Sequence, residues 1–407
     1  MREDQRLLHG AIDTHIHASP SLFPRVCDHI ECARGAASVG MRGVVFKIHH
    51  GDTSGRIPIV REVMGDAIEI YGGITLNSPV GGFNPFAVDT AIKMGAKMVW
   101  MPTISSLNHL EKLGAPHFPG MKQTSGVKLK EEGLTIFSDA KRTKIHPEVR
   151  TICKLIADAG ICLSTGHLDV EEVRALIPLA KEEGVKHIIV QHPEYIVDAS
   201  VEEQVEFAKM GAYIEHLAIF CFTHWGAYPT DENAPPISVR EQAKMVKAVG
   251  AARTILSTDL GQLHNAPPWE GLRVFVQLML ENGIKPREIE TMLHKNPARV
   301  LGLPLKAPKR EAEAGEGSGT RMVLVRHSGA CRNDGGGRFR PMREESTERG
   351  GVVEKPWFRD FENETNQRAV GTGLRACPKP CACPHEGQPR RVVPTGLVPM
   401  NARWFHP

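Results

Sequence analysis

Nowhere does the 407-residue chain hold a run of about 18 apolar residues, so nothing in it reads as a membrane-spanning helix. An excess of charge of one sign is also missing: 50 Lys and Arg face 47 Asp and Glu, for a formal net charge of +3. Without a basic or acidic field, neither nucleic acid nor an anionic membrane surface is the expected partner; a small-molecule substrate is. Met1 to Leu8 carry charge and lack the apolar core of a secretory signal, which makes the cytoplasm the expected location. A disulfide framework is absent too. Cys27, Cys32, Cys153, Cys162 and Cys221 are scattered through the first three quarters of the chain and read as reduced thiols. None of this fixes an oligomeric state, and a homo-oligomer is compatible with all of it.

What is present is a hydrophobic fraction of 41%, enough to bury a large core, and 19 histidines. From Gly10 to about Leu305, short β-branched runs alternate with longer amphipathic stretches, the pattern of parallel strands joined by crossover helices in an α/β fold. Strands are predicted over Ala11 to Ile16, Gly43 to Ile48, Glu69 to Leu76, Lys97 to Met101, Ile161 to Thr165, His187 to Gln191, Ala212 to His216 and Thr254 to Thr258. Eight is the number that closes a (β/α)8 TIM barrel in roughly 250 residues. Helical spacing of apolar residues predicts helices over Asp28 to Val39, Pro85 to Met94, His146 to Ala159, Val170 to Glu183, Val201 to Met210, Ser238 to Val249 and Trp269 to Glu281. Gly160, Gly184, Gly211 and Gly250 stand where left-handed helix caps are expected.

Pro102 to Ile145 is too long for a plain strand-to-helix loop. Within it, Val127 to Lys130 and Leu134 to Phe137 flank a Glu-Glu-Gly turn and predict a hairpin inserted after the fourth strand, at the barrel mouth. The chain thus divides into a barrel of residues 1–305 and an extension of residues 306–407, rich in Gly, Pro, Arg and Glu, for which disorder is expected. Cys377, Cys381, Cys383 and His385 in that extension have a spacing that matches no ordinary structural zinc site.

The histidines carry the functional signal. Strand side chains alternate with period 2, so His15 and His17 share one face of the first strand, and two imidazoles so spaced can reach one divalent ion at roughly 2.0 to 2.1 Å. A histidine pair of this kind also arises by chance. Three more possible ligands, His167, His192 and Asp259, follow the fifth, sixth and eighth predicted strands and so rise at the face where such barrels place their chemistry.

With these residues in place the sequence resembles the amidohydrolase superfamily of metal-dependent hydrolases, whose pattern is H-x-H after the first strand, a histidine after the fifth and the sixth, and an aspartate after the eighth. The run Asn296-Pro297-Ala298-Arg299-Val300-Leu301-Gly302-Leu303 is similar to the helix that often closes the catalytic domain there. The resemblance covers Gly10 to about Leu305. It implies a divalent metal, zinc with manganese or iron as alternatives, in one or two ions, held by His15, His17, His167, His192 and Asp259. It also implies attack by metal-activated water on an amide, lactone or ester-like bond, with Asp259 as ligand and proton shuttle. With a single ion, His192 is left to hydrogen-bond the substrate.

One departure stands out. Many binuclear members bridge their metals with a carbamylated lysine or a glutamate from the fourth strand, and here that strand reads Lys97-Met98-Val99-Trp100-Met101-Pro102. On the second strand Lys47 and His49 share a face and can supply a mouth-facing group instead. Lys47 reads as a carbamylated bridge, a clamp for an anionic substrate, or a lysine snorkelling from the rim. The missing bridge and the cationic Lys47 leave a decarboxylase on one metal as the alternative activity. Less specific candidates at strand ends are His50, Asp52, Arg56, Asn77 to Asn84, Glu215, His216 and His264.

Overall fold

The computed structural model describes residues 1–114, 129, 132–222 and 237–305. Eight strands form one sheet: β1 Ile12–His17, β2 Gly43–Lys47, β3 Glu69–Thr75, β4 Met98–Trp100, β5 Cys162–Ser164, β6 His187–Gln191, β7 Tyr213–Leu217 and β8 Thr254–Ser257. They are parallel and lie side by side in sequence order. Past its end, β8 returns to β1: Asp259 N–H donates to His15 O at 2.8 Å, and His17 N–H to Leu260 O at 2.9 Å. This closes the predicted (β/α)8 barrel.

Every predicted strand is present, shorter or shifted by one residue at some ends, and each predicted helix is found. Those helices are α2 His29–Ser38, α4 Pro85–Lys93, α6 Pro147–Ala159, α7 Val170–Glu182, α8 Val201–Met210, α9 Val239–Val249 and α10 Pro268–Glu281. Helices α1 Glu3–Leu8, α3 Ile57–Met64 and α5 Leu107–Leu113 were not predicted. In α3 the periodicity is blurred, because Ile57 and Val60 are buried while Ile59 and Val63 face solvent. Gly160 and Gly211 adopt the expected left-handed cap. Gly250 does not; its φ is positive but its ψ of 143° is extended. The predicted hairpin strand from Val127 to Lys130 and the whole of residues 306–407, with its Cys377 to His385 cluster, lie largely or wholly outside the described residues. Of the described part of that insertion, Leu134 and Phe137 make only isolated bridges, to Ser106 and Ile145.

Local sequence explains why the helices start where they do. Asp28, Asp169, Ser200 and Ser238 each accept from the backbone N–H three residues on, and the glutamate there reaches back to the cap, forming four capping boxes. Inside the sheet, Ile12, Val45, Tyr71, Met98, Trp100, Cys162, Ile189, Tyr213 and Ile255 form a core of their own. The last helices, α11 Pro286–Glu290 and α12 Asn296–Val300, follow α10, and Ala298, Val300 and Leu301 pack into that inner core. Asn296 pins them there by donating to Ala251 O and Thr254 O at 2.8 and 2.7 Å, at the start of β8. With its amino end plugged, the barrel leaves its carboxyl end for chemistry.

Strict alternation fails on β1. Thr14 and His15 are neighbours, yet both side chains reach Glu215 of β7, and the pairing of β1 with β2 slips between Asp13 and Ile16. The β8 exit is equally tight against β1. Gly261 sits at φ +133°, and a Cβ there would lie 1.8 Å from His17 O. Gly261→Ala is therefore expected to destabilise the fold by about 1–3 kcal/mol from backbone strain alone, read as a lowered urea midpoint. A midpoint equal to that of the unsubstituted protein contradicts this role.

Candidate metal centre

The return of β8 to β1 sets the site. His15 Nε2 and His17 Nε2 lie 3.2 and 2.8 Å from the same oxygen, Asp259 Oδ1. The ligand atoms of these three residues are all within 4.8 Å of one another. Two imidazole nitrogens and a carboxylate oxygen are the donor chemistry zinc takes. Backbone strain marks the same place: His192 at φ 28° and Asp259 at φ 53° are two of the few non-glycine residues with positive φ among the described residues.

A second carboxylate fixes the first imidazole. Glu215 Oε2 is 3.2 Å from His15 Nδ1, while its Oε1 accepts from Thr14 Oγ1 at 2.6 Å. The ionised carboxylate only accepts, so His15 donates from Nδ1 and keeps the Nε2 lone pair for the site. Lys47 Nζ also comes within 3.0 Å of that nitrogen, so a metal ion and the Lys47 proton compete for one lone pair. Lys47 is only 2% exposed, which removes the snorkelling reading, and its ammonium lies 5.7 Å from the centroid of the Trp100 ring. Trp100 fills the end of β4, where the usual bridging group is missing.

Electrostatics separate the three groups. Burial lowers His17 to about 3, with Arg25 adding to the effect, so its imidazole stays neutral. Burial opposes the charged form of His15 as well, but Asp259 and Glu215 overrule it and hold its pKa above the ordinary value. Burial would raise the Asp259 carboxyl; the two histidines outweigh it and keep it well below the usual carboxylate range. Two ionised carboxylates around one imidazole thus call for positive charge, which a divalent ion supplies. Burial brings Lys47 down to about 8, opposed by Asp259 and Glu215.

His167 and His192 reach the same place without joining that compact trio. Their rings meet edge to face at 4.8 Å, and His192 is 6.3 Å from His15, centroid to centroid. His192 Nε2 is held by Gln191 Nε2 at 2.9 Å and its Nδ1 faces Tyr195 O at 3.3 Å. His167 Nδ1 is 2.9 Å from His109 Nδ1, leaving Nε2 as its remaining nitrogen. A cavity with about 550 Å³ of empty space, open to solvent, is lined by His17, His49, His167, His192 and Asp259 together with Phe23, Arg25, Tyr195 and Phe220.

Of the less specific candidates, His49 lines this cavity and Glu215 buttresses His15 rather than facing substrate. His216 turns to Glu194, which Gln242 of α9 also contacts, and His264 is exposed outside the cavity lining. Asp52 accepts from Ser54 N–H and Arg56 donates to Pro20 O, both as loop ties. Sequence reasoning missed His109, Phe23, Arg25, Tyr195 and Phe220. His109, Phe23 and Arg25 lie far from any strand end, and Tyr195 and Phe220, though they follow β6 and β7, are apolar or aromatic residues that carry no ligand chemistry to mark them.

A model described as a family of unknown function, DUF6282, matches residues 10–215, half of the chain. The chain belongs to this family. The DUF6282 match contains His15, His17, Lys47, His167, His192 and Glu215 and stops before Asp259. No curated protein matches the sequence. Among solved structures, an amidohydrolase from Pseudomonas aeruginosa is 13% identical over 73% of this chain and 98% of its own, with a TM-score of 0.46. A 2,6-dihydroxybenzoate decarboxylase from Rhizobium is 10% identical over 72% and 99%, with a TM-score of 0.43. The phosphotriesterase homology protein from Escherichia coli is 15% identical over 72% and 99%, with a TM-score of 0.41. Likenesses this distant add nothing to the barrel seen directly in the strand order.

Glu215→Gln replaces the acceptor that orients His15. Loss of such a partner costs roughly 10–100-fold in metal affinity, and that is the expected outcome, measured by zinc competition against a chelating dye. Unchanged affinity would remove Glu215 from the site.

Proposed function

We propose that this DUF6282 protein is a metal-dependent hydrolase of the amidohydrolase superfamily that cleaves an amide, lactone or ester-like bond in a small molecule. The observation that carries the proposal is the convergence of His15 Nε2, His17 Nε2 and Asp259 Oδ1 beside an open cavity that His17 and Asp259 line. These three residues would hold one divalent ion, zinc with manganese or iron as alternatives, and His167 is the neighbour from which a further ligand would come. When bound, such an ion lowers the pKa of water towards about 7 and polarises the scissile carbonyl as a Lewis acid.

The chain's own groups have separate tasks. Asp259, ionised and 16% exposed in its side chain, reaches the cavity and is placed to take a proton from water and pass it to the leaving group. His192, neutral because burial brings it down to about 4, presents a ring that Gln191 and Tyr195 hold in place beside the substrate. Lys47, buried outside the cavity lining, sets positive charge against Glu215 and Asp259 and so biases the field of the centre toward developing negative charge. Phe220 and Tyr195 keep the wall apolar and limit water around the reacting atoms.

Trp100 at the end of β4 favours a single-ion site, and with it a second reading, a decarboxylase. Release of carbon dioxide from a carboxylated substrate separates that reading from hydrolysis. No described helix is long and apolar enough to cross a membrane. The proposal is tested on purified protein by elemental analysis and by activity across a panel of amides, lactones and esters. About one divalent ion per chain is expected, with hydrolysis lost to a chelator and restored by the metal, and with metal lost in His15→Ala and Asp259→Asn. Normal metal content in both variants contradicts the proposed centre.

A further inference from the structure

His49 is a cavity-lining histidine whose tautomer the surrounding groups decide. The chain of reasoning starts at Asn77. Its Oδ1 accepts from two backbone donors, Thr103 N–H at 2.7 Å and Ser105 N–H at 3.2 Å. Its Nδ2 lies 2.9 Å from the carbonyl oxygen of His49, which only accepts. The amide orientation is thereby fixed, and Nδ2 must donate also to Thr103 Oγ1 at 2.7 Å. The Thr103 hydroxyl has one proton of its own, and the acceptor within reach is His49 Nδ1 at 3.0 Å. His49 Nδ1 therefore accepts, and a neutral ring that accepts at Nδ1 carries its proton on Nε2.

That N–H is turned to the cavity. His49 is 9% exposed, lines the cavity wall and has no hydrogen-bond partner at Nε2 among the described residues. Its ring is stacked on His17 at 4.7 Å and met by the edge of Phe23 at 5.4 Å. Phe23 in turn lies 5.4 Å from the Arg25 guanidinium, which also lines the cavity. Arg25 is not free to drift away, since the backbone of residues 25 and 26 is bridged to Gln262 and Gly261, next to Asp259. A fixed donor and a cation thus flank one aromatic ring at the mouth. The same cavity is lined by Tyr195, Ile196, Ile219 and Phe220, which give it an apolar side.

We propose that the mouth is an anion subsite, in which the His49 Nε2–H and the Arg25 guanidinium together receive a carboxylate of a substrate whose apolar body lies against Tyr195 and Phe220. An acceptor-only oxygen is the ligand this pair selects, because the tautomer gives His49 no lone pair to offer on that side. His49 is on this account a substrate-contacting group and not a metal ligand; Asn77 and Thr103 are positioning residues that act through it. The inference rests on the reading of this cavity as the catalytic one, and it narrows the substrate class to small organic carboxylates.

The experiment is calorimetric titration of the purified, metal-loaded protein with benzoate and with its neutral isostere benzamide as probes. The unsubstituted protein is expected to favour benzoate by roughly tenfold or more, as a hydrogen-bonded charge requires. Arg25→Gln and His49→Phe should each erase most of that preference while metal content stays normal, and His49→Gln, which keeps a donor, should recover part of it. Selective 15N-histidine spectra should include a signal of a neutral ring protonated at Nε2 that vanishes in His49→Phe, which assigns it to His49, and that changes tautomer in Thr103→Val. Equal binding of the two probes, or a benzoate preference that follows metal content and ignores Arg25 and His49, overturns the subsite. A signal for His49 protonated at Nδ1 does so too. Failure of the metal reading looks different: the unsubstituted protein would carry no metal, and the discrimination between probes would persist.

Discussion

The site depends on one seam in the barrel, where the exit of β8 is hydrogen-bonded to β1. Asp259 N–H to His15 O and His17 N–H to Leu260 O join residues more than 240 positions apart in the chain. Without that seam the carboxylate of Asp259 has no reason to meet the two imidazoles. With it, both Nε2 atoms face one oxygen. Gly261 at φ +133° lets the chain leave β8 in contact with His17 O, where any side chain would collide. The positive φ of Asp259 belongs to the same constraint: the backbone is held in an unfavourable conformation by bonds on both sides of it.

The electrostatic consequence is a buried cluster that asks for a cation. Glu215 and Asp259 both remain ionised in spite of burial, because His15, His17 and Lys47 stand against them. His15 is pulled above its ordinary value between the two carboxylates, while His17, beside Arg25, falls to about 3. Lys47 supplies part of the compensating charge and at about 8 holds it loosely. A divalent ion at the His15 and His17 nitrogens would take over that role. His192, His167, His49 and Arg25 line the cavity beside that centre.

Much of the barrel was legible because its signals are local. Strands of β-branched residues, helices with apolar stripes and serine or aspartate caps recur in order, and each requires only a few neighbouring residues to recognise. His15, His17, His167, His192 and Asp259 were legible for a related reason: each stands at or just past the end of a strand. The remainder was not legible because it depends on packing across the fold. Helix α3 hides behind exposed Ile59 and Val63, His109 reaches His167 from the long connection after β4, and Glu215 becomes an orienting carboxylate only because Thr14 and His15 both turn inward at a slip in β1. The pairing of Arg25 with the β8 exit has no sequence signal at all.

The most direct measurement is an anomalous difference map from crystals grown with zinc and collected at its absorption edge. The account predicts a peak at roughly 2.0–2.2 Å from His15 Nε2, His17 Nε2 and an Asp259 oxygen. Zinc bound elsewhere, or no peak while Lys47 still occupies the His15 nitrogen, would contradict it.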